Sequence, residues 1–227
     1  MKKLLWVSCI VTLSFLITAC GGNSTKSGNA NKPANTNTST STAKKEPPKP
    51  QATVSNQAKP ADAKTKDVPN KVPAPKDWVY VYDSVKGYGF YLPEGSKGEN
   101  DVINGINIFS AETPSNIGVT VFAWKDKTAT KESLLNEVES FMKDAWGETI
   151  SAGKLQGESE DYAIAEATST DQAGKKFKMT ILVGTDVTDN YVMIVYTDAD
   201  KYDANKPIID EIWGNFEMYS GGASGNS

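Results

Sequence analysis

From Gly21 to Lys76 the chain offers almost nothing to bury: Val54, Val68 and Val72 are the only large aliphatics, and there is no aromatic residue. Ser, Thr, Asn, Ala, Pro and Lys make up most of the rest. A segment this poor in apolar surface cannot offset the entropy lost on ordering, so residues 20–76 are expected to form a disordered tether. Pro33, Pro47, Pro48, Pro50, Pro60, Pro69, Pro73 and Pro75 stiffen it towards polyproline II. As a flexible coil it would reach roughly 40 Å end to end, and further with that proline. A packed core can therefore form only downstream, from about residue 77.

The N-terminus reads as an address. Met1-Lys2-Lys3 is basic, and Leu4 to Ile17 is apolar apart from Ser8, Thr12 and Ser14. A bilayer span needs about 20 apolar residues, so this run is short for one. A basic start, a short apolar run and a small residue before a cleavage point describe a secretory signal, here residues 1–19. Ile17-Thr18-Ala19-Cys20, followed by Gly21 and Gly22, resembles the lipobox of bacterial lipoproteins. The resemblance implies cleavage after Ala19 and a diacylglyceryl group on the Cys20 thiol. One acyl chain binds a membrane only marginally, at about 0.8 kcal/mol per buried methylene, and two or three make the anchor lasting. Cys9 leaves with the signal, so no disulfide can form within the mature chain and its core must hold it together.

Charge divides at the same boundary. Residues 21–76 carry ten lysines against Glu46, Asp62 and Asp67, a net +7, whereas residues 77–227 carry twelve lysines against twenty-five acids, a net −13. The tether either lies on anionic lipid or wall polymer, each surface lysine contributing about 1 kcal/mol, or serves solubility alone. The acidic domain is repelled from such surfaces. The chain contains no arginine and no histidine. Without the guanidinium fork that reads phosphate, and with an acidic domain, nucleic acid is excluded as a partner. Without histidine the commonest metal ligand and general base are missing, and no cofactor is expected.

From Trp78 the texture becomes that of short strands. Val79–Tyr82 and Tyr88–Leu92 alternate, and Pro93-Glu94-Gly95 ends the second. Ile106–Ala111 and Ile117–Trp124 read as a hairpin around Thr113-Pro114-Ser115-Asn116. Leu134, Leu135, Val138, Phe141, Met142 and Trp146 then fall at helical spacing, with Thr130 as N-cap, Glu132 in the first turn and Gly147 beyond the last. Ile150–Leu155, Tyr162–Ala167, Phe177–Val183 and Tyr191–Tyr196 return to strand, the last apolar on both faces as in a covered central strand. Ile208, Ile209, Ile212, Trp213 and Phe216 form the stripe of a closing helix, and residues 220–227 form a Gly/Ser tail. The order predicts an α+β domain over 77–219: a mostly antiparallel β-sheet with two amphipathic helices packed on it.

Two phrases carry a resemblance. Tyr82-Asp83 with Gly87-Tyr88-Gly89-Phe90-Tyr91-Leu92-Pro93-Glu94-Gly95 resembles the opening of PsbP-like and DcrB-like domains, and Ile212-Trp213-Gly214-Asn215-Phe216 resembles their end. It spans residues 77–218 and implies a PsbP-like α/β/α sandwich. It implies no site residue.

Three groups are candidates for a site. Asp198, Asp200 and Asp203 place oxygen ligands at close spacing, as a calcium loop would. The EF-hand pattern, however, wants a ligand at 202 and glycine at 203, where Tyr202 and Asp203 stand, and the other reading is a solvated loop whose acids favour the following helix. Glu158, Glu160 and Asp161 form a second cluster, which reads as a hairpin turn rather than a catalytic carboxylate pair. Trp78, Tyr80, Tyr82, Tyr88 and Tyr91 either pack in the core with hydroxyls at its rim or form a binding surface. Alternation puts Tyr80 and Tyr82 on one face, opposite Val79 and Val81. There is neither a GxSxG elbow nor a Gly-rich phosphate loop.

These features point to a non-enzymatic accessory or binding domain of unknown ligand, held on the extracytoplasmic face of a membrane by its lipid and presenting its acidic surface to an envelope protein or ligand. A carboxylate-dependent hydrolase or isomerase acting on envelope material, and a low-affinity calcium-responsive module, are the alternatives. The first would require two carboxylates converging on a pocket, the second a calcium-dependent change in stability.

Overall fold

The computed structural model describes residues 52–59, 65–67, 72–125, 129–157, 159–186 and 189–219. The signal, the lipobox residues Ile17, Thr18, Ala19, Cys20 and Gly21, and the Gly/Ser tail lie outside the described residues.

Among the described residues the strands form two sheets. The larger has eight, in the order β1 (Ala52–Thr53), β5 (Lys97–Ile103), β6 (Ile106–Glu112), β7 (Gly118–Lys125), β11 (Asp189–Asp198), β10 (Lys176–Asp186), β9 (Tyr162–Thr170) and β8 (Thr149–Ala152). The smaller has the order β2 (Thr65–Asp67), β12 (Glu217–Tyr219), β4 (Tyr88–Pro93) and β3 (Trp78–Asp83). Each neighbouring pair is antiparallel. The α+β architecture expected from the sequence is present, with the strands divided between two sheets rather than gathered in one.

The larger sheet is apolar on both faces because its central strands lack the usual polar alternation. Ile108, Phe122, Val192, Val183 and Ala163 lie in register across five strands. Their face receives α1 (Lys131–Phe141), which buries Leu134, Leu135 and Val138, and a π-helical turn, Met142–Trp146. Phe122 meets Phe141 and Trp146 with ring centroids 5.6 and 5.9 Å apart. The next row, Phe109, Val121, Met193 and Leu182, points the other way. It joins Tyr202, Ile209, Ile212 and Trp213 of α2 (Tyr202–Gly214) and Val81, Phe90, Leu92 and Met218 of the smaller sheet in one core. The core therefore has two layers, one on each side of the larger sheet.

Capping explains where α1 starts. Thr130 Oγ1 accepts from the Ser133 backbone N–H at 3.1 Å, and Ser133 Oγ accepts from the Thr130 N–H at 2.7 Å. The helix ends at Gly147, whose φ of 70° suits a residue without Cβ. α2 begins at Tyr202, six residues before its apolar stripe, and accommodates Pro207 inside the helix.

The segment read as tether also contributes. Ala52 and Thr53 pair with Gly98 and Lys97, and Thr65 to Asp67 pair with Tyr219 to Glu217. Here the folded unit extends upstream of residue 77. The pairing works through backbone groups, which polar residues supply as well as apolar ones, so low hydrophobicity did not forbid it. A strand at Lys97–Ile103 was likewise not expected; Asn104 (φ 53°) and Gly105 (φ 82°) turn it back onto β6.

Candidate functional site

The outer face of the smaller sheet is built by strict alternation. Val81 points into the core, so Tyr80 and Tyr82 point out, as expected; Tyr91 pairs with Tyr80 across β3 and β4 and shares their face. The Tyr80 ring centroid is 4.8 Å from that of Tyr91 and 6.4 Å from that of Tyr82, and Tyr219 packs edge-on to Tyr82 at 5.2 Å. Gly89 stands between Tyr82 and Glu217 in the register. Its missing side chain leaves the space that the Tyr80 phenol fills.

Beneath this face is a carboxylate. Glu217 is 1 % exposed, and its Oε2 accepts from the Tyr80 hydroxyl at 3.1 Å and from the Tyr219 hydroxyl at 2.7 Å. The two hydroxyls also lie within hydrogen-bond distance of each other, so either can donate to its neighbour in place of the carboxylate, two protons being shared among the three contacts. Burial pushes the Tyr80 phenol far above its ordinary value, reinforced by the Tyr219 bond and the Glu217 charge. Burial does the same to Tyr219, with Glu217 adding to it. Both phenols stay protonated and serve as fixed donors. Lys59 closes the cluster, its ammonium donating to Glu217 Oε1 at 2.5 Å and lying 6.0 Å from the Tyr80 ring centroid.

Lys59 arrives on a segment that runs along the free edge of β3. The Gln57 N–H donates to Tyr80 O at 2.9 Å, while the Tyr80 N–H donates to Asn56 Oδ1 at 2.9 Å and the Tyr82 N–H to Gln57 Oε1 at 2.8 Å. Edge groups that would otherwise invite another strand are thereby occupied. Upstream, the Val54 N–H donates to Ser96 O at 2.9 Å.

The tyrosines expected to act together thus divide. Tyr80 is 2 % exposed, while Tyr82 and Tyr91 are half-buried and form the rim. Tyr88 belongs to the opposite face, stacked between Phe90 and Phe216 in the core, and Trp78 packs against that core.

The acidic loop is arranged around lysines. Asp198 pairs with Lys175 and, at 2.8 Å, with Lys201. Burial alone would raise its carboxyl, but hydrogen bonds from these two ammonium groups hold it below its ordinary value. The Asp203 side chain is 95 % exposed and lies 3.9 Å from Lys178, and Asp200 sits in the 3₁₀ turn Ala199–Lys201. No group of three metal-ligating acids, cysteines or histidines occurs among the described residues. Glu158 lies outside the described residues, while the Ser159 carbonyl accepts from the Lys131 ammonium of α1 and the Asp161 carbonyl from the Thr185 N–H of β10.

One buried carboxyl escaped the sequence reading. Glu148 follows Gly147, is 3 % exposed, and its Oε2 has no hydrogen-bond partner. Burial, with Asp171 nearby, raises it to about 7. Glu217 and Tyr219 were missed too, although Phe216-Glu217-Met218-Tyr219 alternates as a strand does.

No protein-family model matches the chain, and no curated protein matches it in sequence. Solved structures do. The solution structure of cyanobacterial PsbP (CyanoP) from Synechocystis sp. PCC 6803 aligns with a TM-score of 0.50 at 14 % identity, over 63 % of this chain and 93 % of that one. A crystal structure from Bacteroides thetaiotaomicron VPI-5482 aligns with a TM-score of 0.39 at 11 % identity, over 63 % and 49 %. The likeness to CyanoP is one of fold: residues of this chain form a PsbP-like α+β domain.

Proposed function

We propose that the chain is a lipid-anchored accessory or binding domain on the extracytoplasmic side of a membrane, presenting the tyrosine-rimmed face of its smaller sheet to an envelope protein. The anchor reading rests on Ile17-Thr18-Ala19-Cys20 and the preceding signal. The observation that carries the binding reading is the Tyr80–Glu217–Tyr219 cluster. Its polar atoms are fixed and mutually bonded beneath a rim of half-buried Tyr82 and Tyr91. A rigid aromatic rim over preorganised hydrogen bonds suits recognition, because little freedom is lost when a partner docks.

Fatty-acid labelling of cells and crosslinking pull-down from them, with the native chain and a Cys20→Ala form, test the two halves. Label on the native chain alone, with one envelope protein recovered through the anchored form, supports the proposal. Label persisting in Cys20→Ala would overturn the anchor. Recovery of nothing specific by either form would overturn the protein-binding role.

A further inference from the structure

The segment over the tyrosine face shows what that face can hold. Residues 54–59 contribute little apolar surface: Val54 is half-buried, and 55–59 are exposed. What holds them is one backbone bond, from the Gln57 N–H to Tyr80 O on the edge of β3, two side-chain amides that accept from the Tyr80 and Tyr82 N–H groups of that edge, and one ammonium reaching a buried carboxylate. Hydrogen bonds of this kind are of the same order as the entropy cost of ordering the residues that make them. The segment is thus matched to its lane yet held near balance, with Lys59 still 43 % exposed.

We infer that the lane along β3 and over Glu217 is a recognition groove for an extended, lysine-bearing polypeptide, occupied in cis by residues 54–59 until such a segment of a partner displaces them. This deepens, and rests on, the reading of the chain as an envelope binding domain. The chemistry sets the ligand class. The free edge of β3 asks for an extended backbone, Glu217 for a cation, and the Tyr80 ring for a cation near its face. The net charge of −13 over residues 77–227 favours the approach of a basic segment. Since the tether competes as an intramolecular ligand, it lowers the groove's apparent affinity for any outside segment, and releasing it raises that affinity.

The test uses the full chain from residue 20 with Cys20→Ala, and the same chain opened by Asn56→Ala, Gln57→Pro and Lys59→Ala. The probe is a synthetic peptide of residues 51–62, with a second peptide carrying alanine in place of Lys59. The opened chain should bind the first peptide at least about tenfold more tightly than the parent. Glu217→Gln in the opened chain, or the lysine-free peptide, should abolish most of that gain. Equal affinity of parent and opened chains, or equal binding of both peptides, would overturn the inference.

Hydrogen exchange on the parent keeps the test independent of whether the opened chain folds. Excess peptide should deprotect the parent's Gln57 amide while Tyr82 stays protected. A Gln57 amide as protected as those of β10 and indifferent to peptide would overturn the inference. The pull-down, run from cells with Cys20 kept in both the parent and the opened chain, separates the two claims. An envelope partner recovered equally by parent and opened chains would overturn the groove and leave the binding role standing. Peptide exchange without any envelope partner would do the reverse.

Discussion

The phenol of Tyr80 lies directly over the bare Cα of Gly89, so that a Cβ at position 89 would overlap its hydroxyl oxygen. Gly89→Ala should therefore expel the ring and break its bond to Glu217, destabilising the fold by about 1–3 kcal/mol, the usual range for overpacking. Urea unfolding measures the loss. An unchanged midpoint would mean that Tyr80 has another resting place.

Glu217 accepts from two tyrosine hydroxyls and from Lys59, so its removal leaves buried donors without an acceptor. Glu217→Ala should cost about 3 kcal/mol by the same measurement. Glu217→Gln keeps one acceptor oxygen and should cost about half as much. Equal losses would show that the carboxylate's charge and second acceptor oxygen, not its volume, matter there, since glutamine fills nearly the same space.

Glu148 gives stability a slope that runs opposite to that of most carboxylates. Unfolded, it releases its proton near its ordinary 4.5, whereas burial holds the proton on the folded chain to about 7. Across that window the folded state binds more protons, so stability falls as pH rises and levels off above it. The loss is on the order of 3 kcal/mol. Glu112, raised by burial, adds a slope of the same sign, while Asp198 acts only below its ordinary 3.8. Unfolding midpoints at pH 5 and pH 8 should differ accordingly, and Glu148→Gln should shrink the difference. A slope untouched by that substitution would remove Glu148 from the account.

Calcium at millimolar concentration should leave the melting temperature unchanged, because Asp198 is already paired with Lys175 and Lys201. A rise of several degrees would show that the ion displaces those ammonium groups and would restore a calcium-responsive role.

Much of the fold is legible in the sequence. The apolar runs of β7, β10 and β11 and the helical stripe of α1 announce themselves because each buries a continuous face. The shared face of Tyr80 and Tyr82 follows from alternation alone. Glu217 does not, since it joins Tyr80 from 137 positions away through the pairing of β12 with β4, a register no local pattern encodes. β5 escaped because its strand character resides in the Asn104-Gly105 turn rather than in its polar side chains. β1 and β2 escaped because backbone pairing leaves no mark in hydrophobicity. Glu148 is invisible for a related reason: it is buried near Asp171 and Tyr196, which come from distant strands and loops.

The segment bearing Lys59 has a place in the order of assembly. Lys59 is made early and its acceptor, Glu217, 158 positions later, so the contact closes the longest kind of loop and forms after more local pairings. The bonds of Asn56 and Gln57 to β3 span only 24 and 25 positions and need no C-terminal strand, but until β12 is seated Lys59 has no acceptor and Tyr80 no carboxylate beneath it. Seating of the Lys59 ammonium therefore marks a finished domain, and a chain truncated before Glu217 holds its N-terminal segment by the β3 edge alone.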